Sequence, residues 1–112
     1  MYKLNYNDYD KSVYENELKN FLPEKFIDCH THIWKSDFVP KGEANGGSLW
    51  IDRVADDLLA DDLMTTLSVL FPKKQVTPLV FGGIKHDLSQ CNNYVFDSAQ
   101  KYNFPTLYRS EY

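Results

Sequence analysis

Past Pro23 the chain alternates short apolar runs with amphipathic stretches, and this order restricts the folds open to it. Phe26-Ile27-Asp28-Cys29-His30-Thr31-His32-Ile33-Trp34 reads as a first strand. A helical pattern over 49–70 follows a long loop, 35–48, that contains Pro40, Gly42, Gly46 and Gly47. Ile51, Val54, Ala55, Leu58, Leu59, Leu63, Thr66, Leu67 and Leu70 repeat with the 3.6-residue period of an amphipathic helix. Pro72 ends that helix, and Val76 to Phe81 reads as a second strand closed by Gly82-Gly83, with Pro78 removing one ladder donor. Leu88, Cys91, Val95, Ala99 and Tyr102 form the stripe of a further helix over 88–102, broken at Asn103-Phe104-Pro105. Residues 106–110 read as a third strand. Strands separated by helices pair in parallel through right-handed crossovers. Ahead of this series, residues 8–22 pattern as one amphipathic helix with Tyr14, Leu18, Phe21 and Leu22 near one side.

The bulk properties narrow the function classes. Hydrophobic residues make up 43% of the 112 positions and aromatics 15%, so the chain has apolar area to bury and is not expected to be disordered. A net charge of -4 gives no electrostatic support for nucleic-acid binding. No apolar run approaches the roughly 20 residues that span a bilayer, so no membrane partner is expected. The N-terminus, Met1-Tyr2-Lys3-Leu4-Asn5-Tyr6, is too polar for a signal peptide. Cys29 and Cys91 form no disulfide framework, and the default reading is cytoplasmic.

The chemistry concentrates in the first strand. Side chains alternate faces along a strand, so Asp28, His30 and His32 are expected on one face and Ile27, Cys29 and Ile33 on the other. Two imidazoles on one face can hold one divalent metal ion. The carboxylates Asp52, Asp56, Asp57, Asp61 and Asp62 are read instead as the solvated side of the second helix. His86 is expected to be a solvated loop histidine. Arg109 and Glu111 fall at the end of the third strand, where a substrate contact and a strand-end ion pair are both open readings. Alternation sets the Cys29 thiol opposite the histidines, against a nucleophilic role. Other catalytic signatures are missing, including G-x-S-x-G, H-E-x-x-H and the phosphate-binding G-x-x-x-x-G-K-[ST].

The Asp28-Cys29-His30-Thr31-His32 run, its apolar lead-in, and the later acidic helix resemble the amidohydrolase superfamily, most closely its amidohydrolase-related branch. That resemblance implies a metal-dependent hydrolase or decarboxylase on a TIM barrel. It implies His30 and His32 as metal ligands, with zinc as the metal, and Asp28 as a supporting group rather than a ligand. Trp34 would line the pocket for a small-molecule substrate. The expected fold class is then α/β: a partial TIM barrel of about three parallel βα units after an N-terminal helix. In this reading residues 1–24 are a helical extension and 25–112 the N-terminal portion of the barrel, a fragment whose later ligands and catalytic base lie past Tyr112. Open barrel edges make a homo-oligomer the expected state. The alternative is a catalytically inactive remnant, or an oligomerising domain. Metal-dependent phosphoesterases and a class of nucleases share the D-x-H-x-H opening and stay open at lower weight.

Overall fold

Asn7 opens the first helix, α1 (Asp8–Val13), by accepting hydrogen bonds from the Tyr9 and Asp10 amides, and Asp10 reciprocates by accepting from the Asn7 amide. A computed structural model describes residues 3–39, 55–84 and 86–110. The single helix expected over 8–22 is instead α1 followed by a π-helical turn, Tyr14–Leu18. Tyr14 is buried, donates its hydroxyl to the Pro72 carbonyl and meets Phe71 edge-on. Lys74 donates to the Lys19 and Leu22 carbonyls at the end of the turn. The N-terminal segment is thereby tied to the connection that leads into the second strand.

Strand β1 (Lys25–Ile33) pairs in parallel with β2 (Gln75–Gly82), and α2 (Ala60–Leu70) lies between them in sequence. The third helix, α3 (Leu88–Tyr102), has the span its apolar stripe predicts; Asp87 caps its start and Asn103, at φ 54°, its end. One face of the sheet is covered by a core of Ile33 and Val80 from the strands, Ala60, Leu63 and Leu67 from α2, Val95 from α3, and Phe104. Burying each large aliphatic side chain there contributes roughly 1.5–3 kcal/mol.

The expected partial TIM barrel is not what the chain forms. The described residues form a two-stranded parallel sheet with three α-helices, and residues 106–110 do not build a third strand. Thr106 makes one isolated parallel bridge to Val80, through Val80 N–H to the Pro105 carbonyl and Leu107 N–H to the Val80 carbonyl. Parallel pairing repeats every two residues. One step towards the N-terminus, the next two donors would be the amides of Pro78 and Pro105, and proline has no N–H. In the other direction the Arg109 amide is taken by the Asn92 side chain, which also donates to the Arg109 carbonyl. The ladder is therefore stopped on both sides.

The second helix is also shorter than its periodicity suggests. Residues 55–59 are not helical, and Leu58 pairs antiparallel with Trp34. The helix starts at Ala60, whose amide donates to the Tyr94 hydroxyl, while Asp62 accepts from the Leu59 amide. The loop residues Pro40, Lys41, Gly42, Gly46 and Gly47, the expected helical residues through Val54, and Glu111 lie outside the described residues. Among the described residues, no helix is long and apolar enough to cross a membrane.

Candidate metal site

The strand that carries the histidines is irregular, and this decides which side chains share a face. Lys25 to Asp28 pair in register with Gln75 to Pro78, but Thr31 pairs with Val80, so Cys29 and His30 together oppose Leu79. One extra residue in β1 inverts the alternation downstream. Upstream, Phe26 and Asp28 align with Val76 and Pro78 on the helix-covered side; downstream, Thr31 and Ile33 align with Val80 and Gly82 on that same side. Asp28 thus does not share the face of His32, contrary to strict alternation. Ile27 falls on the uncovered face and is 64% exposed, and Cys29 is exposed, so neither shares the helix-packed side with Ile33 as strict alternation predicts.

The side chains of the motif hold the bulge. Asp28 Oδ1 accepts from the His30 amide at 3.2 Å, and the Thr31 hydroxyl donates to the Leu79 carbonyl at 2.9 Å. Asp28 is therefore a backbone support for the histidine that follows it.

His30 and His32 project on the uncovered face with both rings against Phe81, their centroids 5.4 Å from its ring. Their Nε2 atoms lie 3.1 Å apart. His32 Nδ1 is 2.9 Å from the Gly82 carbonyl oxygen. A carbonyl only accepts, so this bond places the His32 proton on Nδ1 and leaves the Nε2 lone pair free for a ligand. A backbone carbonyl orienting a histidine through its other nitrogen is the usual support of a metal-bound imidazole. Two nitrogens bound tetrahedrally to zinc at about 2.0–2.1 Å lie about 3.3 Å apart. The observed separation needs only a few tenths of an ångström of adjustment, so the donor set fits a divalent ion. Among the described residues no further histidine, cysteine or carboxylate makes the pair a group of three.

Gly82 and Gly83 shape the ground beside the pair. A Cβ at Gly82 would sit 2.7 Å from the Cys91 Cβ, and one at Gly83 would sit 2.3 Å from His86 Nδ1. The absence of side chains there lets α3 close on the strand end. His86 is buried, with its ring 6.1 Å from that of Trp34, and is not the solvated loop residue expected. Arg109 Nη1 donates to the carbonyls of Gly83 and His86, which ties one arm of its guanidinium to the backbone beside the strand end. Trp34 is buried too. Its indole N–H donates to the Asp56 carbonyl and its backbone pairs with Leu58, so it anchors residues 55–59 beside β1.

Beyond Trp34 a second set of contacts fixes the chain. Ser36 donates from its amide and hydroxyl to Asp57, and the amide bond chiefly holds that carboxyl below its ordinary range. Lys35 Nζ sits 4.7 Å from the centre of the Tyr94 ring. Burial raises the Cys91 thiol above its usual pKa. The two imidazoles are visible in the sequence, but the Gly82 carbonyl that orients His32 is not, since the residue across a ladder is fixed by register, which the bulge changes.

Comparison with protein-family models, curated proteins and solved structures gives no match to this chain.

Proposed function

We propose that His30 and His32 are ligands of a divalent metal centre, most simply zinc, in a metal-dependent hydrolase or decarboxylase of the amidohydrolase-related type. The reading is supported by one observation: two Nε2 atoms 3.1 Å apart, one of them freed by the bond from Nδ1 to Gly82. Such a metal, when bound, supplies Lewis acidity towards a substrate oxygen or a water molecule. This chain's part is to orient. Gly82 fixes the His32 tautomer, Asp28 braces the bulge that presents His30, and Phe81 backs both rings. The described residues of one chain bring only these two ligands to the point, and the rest of the coordination sphere is supplied from elsewhere. The substrate is a small molecule and the setting the cytoplasm, where the free thiols Cys29 and Cys91 persist.

A second reading is a domain without catalytic function or metal, a remnant or an oligomerising domain. It is favoured by the same contact, because a proton on His30 Nε2 would donate to His32 Nε2 and satisfy the pair without metal. Zinc titration by calorimetry separates the two. The metal reading expects binding that weakens at least tenfold in His30→Ala and in His32→Ala, with ester, lactone and decarboxylation screens run on zinc-loaded protein. Equal zinc binding by the wild type and the double variant would refute it.

A further inference from the structure

We infer that the missing ligands of the histidine pair are the same two histidines of a second copy of this chain, one zinc ion joining two chains across the uncovered sheet face. The inference rests on the metal reading above and adds the partner. A closed zinc site takes four ligands, and the described residues bring together only two at this point. A two-fold axis through the metal and perpendicular to the bisector of the pair, relating each histidine to its counterpart in the other chain, supplies the other two with no new residue type, as an isologous interface requires.

The surroundings of the pair suit that arrangement. His30 is exposed, and the rings stand on the face that none of the described helices covers. Beside them on this face stand Ile27, Thr77, Leu79 and Phe81, all uncharged, with Lys25 and its ladder partner Gln75 at the far end of the strands, so the ground next to the histidines brings no like charges together. The face is also too small to hold a dimer by itself. Two strands of 9 and 8 residues present a patch of about 10 by 26 Å, or roughly 260 Å². Stable interfaces use roughly 800 Å² per partner. Association through this face therefore depends on the metal. Four imidazoles close the coordination sphere, so this dimer holds zinc without an open position, and turnover requires one imidazole to be displaced.

Sedimentation velocity of the full chain across a zinc series tests the proposal, with cobalt(II) as a spectroscopic stand-in. The expected result is a monomer without metal, a dimer at half an equivalent of zinc with a tetrahedral cobalt spectrum, and reversal to monomer in large zinc excess as each chain takes its own ion. His30→Ala, at an exposed position, should stay folded by circular dichroism and lose the dimer. Zinc bound one per chain with the chain monomeric throughout would overturn the dimer and leave the metal pair standing. No zinc binding would overturn both. A dimer that forms equally without zinc, or in His30→Ala, would overturn the bridged arrangement.

Discussion

Gly82→Ala is the most exacting test of how the strand end is packed. Gly82 lies outside the left-handed region, so its backbone accepts an alanine, and only space opposes the change. The new methyl would lie 2.7 Å from the Cys91 Cβ, against about 3.5–4.0 Å for carbons in good contact. Neither atom can swing away. One belongs to the β2 ladder and the other to the buried face of α3. Overpacking of this kind costs about 1–3 kcal/mol. Replacing a strand glycine returns about 0.5–1 kcal/mol of chain entropy. The net loss is then about 1.2 kcal/mol, a fall in Tm of about 4–8 °C for a chain of this length. Urea denaturation of Gly82→Ala, alone and in a Cys91→Gly background, measures it. The cost should shrink by at least about 0.5 kcal/mol when the Cys91 Cβ is gone. A neutral or stabilising Gly82→Ala would refute the close approach of α3 to β2.

Other outcomes follow from the same contacts. Iodoacetamide with mass-spectrometric readout should modify exposed Cys29 quickly and Cys91, buried with a raised pKa, only on unfolding; equal rates would contradict the packing. Asn92→Ala removes both hydrogen bonds to the Arg109 backbone and should cost about 1–3 kcal/mol, with faster amide exchange at Arg109. The Asp57 carboxyl is depressed in the folded chain, so its link to Ser36 is fully present above the unfolded value of about 3.9 and is lost as pH falls through the lower folded value. The Ser36 amide resonance should therefore titrate below that value, and a midpoint at or above it would contradict the bond.

What the sequence made legible was local. The α3 stripe from Leu88 to Tyr102 and the first-strand histidines depend on spacing within one element, and they stand where spacing places them. Relations across elements were not legible. Asp28 and Ile27 changed faces because one residue is inserted between Asp28 and Thr31, and no composition signal marks that insertion. The third strand failed because Pro78 and Pro105 fall one step apart in register, a coincidence visible only once the bridge at Val80 is known. Trp34 and His86 were judged by their neighbours in the chain, yet each is buried by contacts with distant segments.

Two imidazoles present Nε2 to one point while Gly82 holds His32 Nδ1–H. Long-range proton–nitrogen NMR of the histidine rings, with and without zinc, reads this directly. His32 is expected to carry its proton on Nδ1 in both states, and Nε2 of His30 and His32 to shift together as zinc is added. A His32 ring protonated on Nε2 without metal, or zinc that moves neither Nε2 resonance, would contradict it.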